Sequence, residues 1–172
     1  MSFDPEFEEL VKLYYRDLYR FGLSLTASEA DAADLTQETF YIWANKGHQL
    51  KNPAKVKAWL FTTLHRQFLQ IRRHQTRFED EPIDETSADF THVPAECVNR
   101  IDAQALLTFL GQLDENHRAP LVLYYLEDLS YNEIAETLAV PLGTVQSRIS
   151  RAKIKLLQLL NETAKPAPKG DH

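Results

Sequence analysis

The sequence has few of the residues that build disulfide-rich, metal-binding or turn-rich proteins. A single cysteine, Cys97, excludes an internal disulfide and a thiolate-rich zinc finger. The 172 residues include only 5 glycines and 8 prolines, too few for a β-sandwich or barrel with many tight turns. The apolar runs are too short to span a bilayer. With 44% hydrophobic and 26% charged residues, the composition is that of a globular, mostly helical protein.

Features of common enzyme sites are also missing. The six histidines are scattered, and neither a His-Glu-x-x-His motif nor a glycine-rich phosphate loop occurs. Cys97 has no patterned histidine partner, so we interpret it as an inert thiol, with a redox role as the alternative. We therefore predict a protein that is not an enzyme, with no catalytic residue, metal or cofactor. Its acidic start lacks the regions of a secretory signal, which predicts a cytoplasmic protein with no membrane partner.

The formal net charge of −6 conceals a separation of charge along the chain. Residues 50–78 contain seven lysines and arginines and no acid, whereas residues 79–96 contain seven acids and no lysine or arginine. Residues 142–156 contain four basic residues and no acid. Two basic blocks in an acidic chain predict two local contacts with polyanions. Because the whole chain is acidic, we expect the isolated protein to bind DNA weakly.

The spacing of apolar residues predicts an all-α fold of two small helical domains joined by an acidic flexible linker. Three N-terminal helices are predicted at 7–25, 28–46 and 53–77, with Ser28 as a cap, Gly47 as a stop and Pro53 in a first turn. Further along, Asp114 is a predicted cap, and Pro120 predicts a late start or a kink. The predicted divisions are the N-terminal domain at 1–78, the linker at 79–100, the C-terminal domain at 101–163 and a disordered tail at 164–172.

The C-terminal half has the pattern of a helix-turn-helix. Ser130 and Glu133 form a capping box, a tight connection follows at 140–143, and a second helix is predicted from about Thr144. The predicted inner face of the second helix consists of Val145, Ile149, Ala152 and Leu156. Its outer side chains suit base edges (Gln146, Ser147, Ser150, Arg151) and phosphates (Lys153, Lys155). The alternative is a helical hairpin whose charged face is merely solvated. The capping box, the short turn and the acid-free face occur together, which disfavours that alternative.

Two neighbouring helices of the N-terminal half have opposite charge. The polar arc of the second helix is a candidate docking surface, although polar exposed faces are common; it consists of Asp34, Gln37, Glu38 and Tyr41. The third helix mixes aromatic and basic residues, a combination typical of single-stranded nucleic-acid binding. We interpret at least two of its aromatics as core residues, from the set Trp59, Phe61 and Phe68. The pair Arg72 and Arg73 is the better candidate for nucleic-acid contact.

Together these segments resemble the sigma factors of bacterial RNA polymerase, in the extracytoplasmic-function (ECF) group of the sigma-70 superfamily. The sequence DAADLTQETF at 31–40 is similar to the signature of sigma region 2. Residues 58–61 are similar to the start of the helix that reads the −10 element. Residues 129–135 and 143–152 are similar to the two helices of region 4. The motifs occur in the family's order and span nearly the whole chain.

The resemblance implies partners and a role for each candidate residue. The implied partners are core RNA polymerase, through the clamp helices of its largest subunit and its flap, promoter DNA, and an anti-sigma factor as a further candidate. The implied polymerase-binding residues are Asp34, Gln37, Glu38 and Tyr41. Those implied for the −10 element are His48, Asn52, Lys55, Arg66, Arg72 and Arg73. Those implied for the −35 element are Thr144, Gln146, Ser147, Arg148, Ser150, Arg151 and Lys155.

The chain departs from the family pattern in the predicted −10 helix. Arg66 and Gln70 stand where members commonly have Asn and Asp, so the −10 base preference is left open. The resemblance implies a factor that binds core RNA polymerase and directs promoter-specific initiation by recognising −10 and −35 elements. The alternative is a stand-alone helix-turn-helix regulator, which would dimerise and bind its operator tightly without polymerase. The acidic net charge and the second basic helix count against that alternative.

Overall fold

In the computed structural model, residues 5–76 and 103–163 are described, and within these ranges the chain forms helices and no strand. The α-helices are α1 (Pro5–Thr26), α2 (Glu29–Lys46), α3 (Val56–Gln75), α4 (Ala103–Gln112), α5 (Glu115–Tyr125), α6 (Tyr131–Leu138) and α7 (Leu142–Thr163). Helices α1–α3 form an N-terminal domain and α4–α7 a C-terminal domain. The predicted linker, Cys97 and the predicted tail lie outside the described residues.

The N-terminal helices begin and end close to the predicted positions. The Ser28 side chain caps α2 by accepting a hydrogen bond from the Asp31 N–H. Pro53 opens a short 3₁₀ turn, Pro53–Lys55, which Asn52 caps by accepting from the Ala54 N–H, and α3 continues from Val56. The starts of α2 and of the Pro53–Lys55 turn thus each have a side-chain oxygen that satisfies an otherwise unpaired backbone donor.

Gly47 follows the end of α2, as predicted, and close packing explains why a glycine lies there. Its φ of −58° is an ordinary right-handed value, and the chain continues as a 3₁₀ helix, Gly47–Gln49. A Cβ at this position would lie 2.6 Å from two ring atoms of Trp43. Trp43 in turn meets Trp59 of α3 edge to face, with ring centroids 5.1 Å apart. The glycine therefore lets the chain turn closely under an aromatic pair that joins α2 to α3.

Helix α5 corrects one expectation from the sequence. It begins at Glu115, directly after its cap Asp114, and Pro120 lies inside it, so the late start expected from the proline does not occur. Asp114 accepts a hydrogen bond from the His117 N–H, which fixes the first turn before the proline is reached. Pro120 removes the bond to the Asn116 carbonyl, and the rest of the helix forms around that single loss.

The helix-turn-helix is present, with a shorter turn than predicted. Both hydrogen bonds of the Ser130–Glu133 capping box form. The second helix begins at Leu142, two residues before the predicted Thr144. Ala139 takes a left-handed conformation (φ 54°) that ends α6 at Leu138. The predicted inner face is confirmed, since each of its four side chains is at most 1% exposed: Val145, Ile149, Ala152 and Leu156.

One cluster of buried apolar side chains extends through both domains. It includes Phe21, Phe61 and Leu64 of the N-terminal domain, and Leu123 and Ile134 of the C-terminal domain. Helix α3 packs on α6, and α1 packs on α5. Burial of this continuous apolar surface is the main favourable contribution to the arrangement. None of the described helices is long and apolar enough to cross a membrane.

Candidate nucleic-acid and protein interfaces

The acidic candidate surface lies on one exposed face of α2. Its four predicted residues, Asp34, Gln37, Glu38 and Tyr41, are all exposed, and Tyr41 is 66% exposed. The opposite face of the helix is packed into the core through Ala32, Leu35, Thr36, Thr39 and Phe40. An exposed tyrosine between carboxylates offers a flat apolar ring with charges at its edge, a composition suited to docking on a basic protein surface.

The predicted cations of α3 and of the residue before it are all exposed: Lys55, Arg66, Arg72 and Arg73. Arg72 also forms an ion pair with Glu115 of α5, and its guanidinium lies 5.9 Å from the centre of the Phe68 ring. The structure therefore places Arg72 against the C-terminal domain, apart from the other cations.

The aromatic residues of α3 are mostly core residues, as the sequence predicted. Phe61 is fully buried and Phe68 is 8% exposed, whereas Trp59 is half-buried beside Trp43. These two phenylalanines are therefore not available to stack on bases. Of these three aromatic residues, Trp59 is the most exposed.

The turn before α3 borders a polar cleft of about 480 Å³. Trp59, Lys46 and Arg66 are among its lining residues. His48 and Asn52 are both exposed in the turn, although the Asn52 side chain also caps the 3₁₀ helix. An aromatic ring beside two cations provides the groups that stack on bases and neutralise phosphates.

The predicted base-reading residues lie along the first turns of α7. Gln146 and Lys155 are exposed, and the others are half-buried: Thr144, Ser147, Arg148, Ser150 and Arg151. Arg148 borders a cavity of about 180 Å³ that His65 of α3 and Glu115 of α5 also line. The Lys153 ammonium lies 5.3 Å from the centre of the Tyr125 ring, so it packs on α5 rather than beside Lys155.

Sequence reasoning missed a set of polar contacts between the domains, which we call the interdomain pairs: Arg20–Glu127, Thr62–Thr137 and Arg72–Glu115. Arg20 Nε donates to Glu127 Oε1 at 2.8 Å, and the same guanidinium donates to the Leu126 carbonyl at 3.0 Å. Thr62 Oγ1 donates to Thr137 Oγ1 at 3.2 Å. Helical spacing places Thr137 three residues after the buried Ile134 and so could have predicted that Thr137 is buried. The pairing of Arg20 with Glu127, 107 positions away, has no signal in the local sequence.

Burial shifts the pKa values of groups at these contacts. Desolvation raises the pKa of Glu127, and the hydrogen bond and charge of Arg20 offset only part of that shift. The hydrogen bond that Arg20 donates to Glu127 conversely raises the pKa of Arg20. Burial lowers the pKa of His65 to about 4, against an opposing hydrogen bond with the Thr137 backbone. The neutral His65 ring is therefore the stable form at the junction of α3 and α6.

Residues 5–76 and 103–163 contain no group of three or more His, Cys, Asp or Glu side chains that could hold a metal ion. The candidate surfaces instead offer exposed charge, hydrogen-bond donors and a few aromatic edges, which are suited to binding macromolecules.

Comparison with protein families finds two matches in this chain. Residues 10–78 match the model of Sigma-70 region 2, and residues 103–156 match that of Sigma-70, region 4. ECF RNA polymerase sigma factor SigE of Mycolicibacterium smegmatis is 37% identical over 95% of this chain and 66% of its own length, just under two thirds. ECF RNA polymerase sigma factor SigM of Bacillus subtilis is 31% identical over 90% of this chain and 94% of its own length.

Solved structures with the same arrangement of helices include two complexes. The sigma factor RpoE bound to the anti-sigma factor NepR, from Bartonella quintana, matches with a TM-score of 0.72 and 26% identity, over 92% of this chain and 98% of that one. CnrH bound to the cytosolic domain of CnrY matches with a TM-score of 0.64 and 25% identity, over 92% of this chain and 89% of that one.

Proposed function

The chain belongs to the sigma-70 family of RNA polymerase sigma factors, in its ECF group, and we propose from this that it is a dissociable initiation factor. It binds core RNA polymerase and directs promoter-specific transcription initiation through −10 and −35 elements. The observation that best supports this is the presence in one chain of an exposed acidic face on α2 and a helix-turn-helix with an acid-free reading face.

The N-terminal domain docks on the polymerase and opens the promoter. Asp34, Gln37, Glu38 and Tyr41 of α2 bind the clamp helices of the largest subunit, and their exposure on one face supports this assignment. The turn before α3 and the exposed side of that helix bind the −10 element, through His48, Asn52, Lys55, Arg66 and Arg73. Arg72 joins this set once its ion pair with Glu115 is broken.

The C-terminal domain reads the −35 element and contacts the polymerase flap. The contact residues are Thr144, Gln146, Ser147, Arg148, Ser150, Arg151 and Lys155. Gln146 is exposed near the start of α7, where a recognition helix meets base edges, and a glutamine pairs well with adenine. An anti-sigma factor is a further proposed partner, supported by the two solved complexes that resemble this fold.

This function needs no catalysis by the chain itself. We place its action in the cytoplasm with the polymerase, and we place the domain divisions at 1–78, 79–100, 101–163 and 164–172. A stand-alone regulator is not favoured. Residues 10–78 match Sigma-70 region 2, and a regulator that acts without polymerase does not require such a domain.

Charge reversal on α2 tests the proposal. We expect Asp34→Lys with Glu38→Lys to abolish co-elution with core RNA polymerase in gel filtration, because two repulsive charges replace two attractive ones on the docking face. Glu8→Lys with Glu9→Lys makes the same charge change on the exposed side of α1 and serves as the matched control. Circular dichroism checks that both variants keep their helices.

The same mixtures are then screened against a random promoter library. Enrichment of DNA with two elements only in the presence of core supports a sigma factor. A charge-reversed variant that still co-elutes contradicts the docking assignment. DNA selected by the chain alone, without binding to core, would show an independent regulator.

A further inference from the structure

The first residue of α7 is a leucine that the fold leaves in contact with solvent. Leu142 lies three residues before Val145, the first residue of the inner face of this helix. Val145 is fully buried, whereas Leu142 is 41% exposed. Single exposed leucines are common on protein surfaces and by themselves indicate nothing. This leucine is informative because it begins the helix that reads the −35 element in the proposed function.

We propose that Leu142 is a specificity-determining residue, whose side chain packs on the C5-methyl group of a thymine in the major groove of the −35 element. The inference rests on the proposed function. It adds a residue outside the assigned contact set, together with the base that this residue selects. Three features of α7 support it: the neighbour of Leu142 on the helix surface, the space beside it and the charge around it.

The neighbour of Leu142 on the helix surface is Gln146. The two residues are four positions apart, which places their side chains on the same side of the helix, and both are exposed. Four positions correspond to about 6 Å along the helix axis, whereas successive bases of a DNA strand are about 3.4 Å apart. A base that Leu142 contacts therefore lies within about two base pairs of the base that Gln146 reads.

The two side chains prefer the two bases of an A·T pair. A glutamine amide pairs with N6 and N7 of adenine, as proposed for Gln146. A leucine has no donor or acceptor in its side chain, and the thymine methyl is the apolar group that the major groove offers. Contact between leucine and methyl removes apolar surface of both from water. Leu142 and Gln146 together therefore select a thymine and an adenine within about two base pairs of each other.

The residue after Leu142 leaves space for DNA to approach. A Cβ added at Gly143 would meet nothing within 4 Å, so packing among the described residues does not require a glycine there. A glycine does allow another molecule to come close to the backbone. The base and its sugar can therefore reach the start of α7 without meeting a side chain at position 143.

The charge around Leu142 is suited to DNA. Residues 142–156 contain four basic residues and no acid. The residues that surround Leu142 in the first turn, Pro141, Gly143 and Gln146, are exposed and uncharged. No carboxylate of this stretch therefore repels the phosphates, and the basic residues further along α7 hold the DNA backbone while the first turn contacts the bases.

Removal of the thymine methyl group tests this contact. The −35 element is first selected from the random promoter library with the chain bound to core, and each thymine in it is then replaced singly by deoxyuridine, which lacks only that methyl group. Fluorescence anisotropy measures the affinity of the complex of chain and core for each promoter. We expect one replacement, within two base pairs of an adenine, to weaken binding about fourfold, the factor for burial of one methyl-sized group. The complex with Leu142→Ala should show no loss at that deoxyuridine.

Two variants are controls for this measurement. Leu13→Ala makes the same substitution at a leucine of α1 that is 67% exposed, and Leu142→Met keeps an apolar side chain of similar size. Both should retain the fourfold effect, and circular dichroism checks that all variants keep their helices.

Equal sensitivity of Leu142→Ala and the unaltered chain to deoxyuridine would overturn the proposal, as would a −35 element in which no thymine replacement changes the affinity. Loss of core binding in Leu142→Ala would assign this side chain to the polymerase instead of DNA. Failure of the unaltered chain to bind core or to select two elements would refute the proposed function, and this inference with it, before any thymine is replaced.

Discussion

His65 lies where the two domains meet, with Phe21 and Phe68 as its aromatic neighbours. The ring centroids are 6.5 Å from that of His65 in both cases, and the residue is 7% exposed. Apolar surroundings disfavour the imidazolium, so the pKa of the folded-state ring falls to about 4. A histidine in the unfolded chain titrates at about 6.5.

This shift makes the free energy of unfolding depend on pH. Between pH 6.5 and pH 4 the unfolded chain binds a proton at His65 and the folded chain does not, so acidification favours unfolding. We expect this histidine to remove about 3 kcal/mol of stability between pH 7 and pH 4, measured by urea denaturation. His65→Gln should lack this loss. Glu127, whose pKa is raised, acts in the opposite direction but equally in both proteins. Parallel pH profiles for the two would contradict the buried neutral ring.

At the scale of the helix, Ala139 is the unusual feature of the helix-turn-helix. Its left-handed backbone (φ 54°, ψ 45°) lets its N–H bond back to the carbonyls of Ala135 and Glu136, which ends α6. An L-residue with a Cβ is strained in that conformation, whereas glycine adopts it freely. The left-handed conformation of Ala139 therefore lowers the free energy of unfolding relative to a glycine at that position.

Replacement of this residue tests the strain. Ala139→Gly should raise the free energy of unfolding by about 1 kcal/mol, because it relieves the left-handed strain. Ala44→Gly, at an exposed position inside α2, should lower it by about 1 kcal/mol through lost helix propensity. Urea denaturation measures both. A loss of stability in both variants would show that Ala139 is not strained.

Hydrogen bonds between side chains and the nearby backbone made most helices predictable. The connections between helices were less predictable. Three helix starts were predicted from side chains that hydrogen-bond to the nearby backbone, and the structure confirms them: Ser28, Asp114 and the Ser130–Glu133 pair. The left-handed conformation of Ala139 was missed, because alanine gives no sign of a left-handed turn. The faces of α2 and α7 followed from apolar spacing, so the exposed candidate residues were found. The roles of those residues came from family resemblance and stay predictions.

At the scale of the whole molecule, the interdomain contacts depend on partners far apart in sequence. Arg20 and Glu127 are 107 positions apart, and neither residue alone indicates a buried ion pair. Periodicity reports which face of a helix is apolar but not which distant element covers it. The division into two domains could therefore be predicted, and their direct packing could not.

Removal of one partner of this ion pair should open the molecule. Arg20→Met leaves the Glu127 carboxylate buried and uncompensated, at a cost of about 3–5 kcal/mol that separation of the domains would relieve. We expect longer distances between spin labels placed at Ala44 and Lys155, both exposed, in a Cys97→Ser background. Arg16→Met, the same substitution at an exposed site on α1, should leave the distances unchanged. Unchanged distances in Arg20→Met would show that this pair does not hold the domains.

The opposite charges of α2 and α3 also have a kinetic consequence. Exposed carboxylates on α2 and exposed cations on α3 give the N-terminal domain an electric dipole across two adjacent helices. Such a dipole aligns a diffusing molecule in the field of a charged partner before contact, and so increases the fraction of collisions that are productive. The alignment acts over about 8 Å at physiological ionic strength, and added salt shortens that range. The rate of association with the partner therefore depends partly on the ionic strength of the solution.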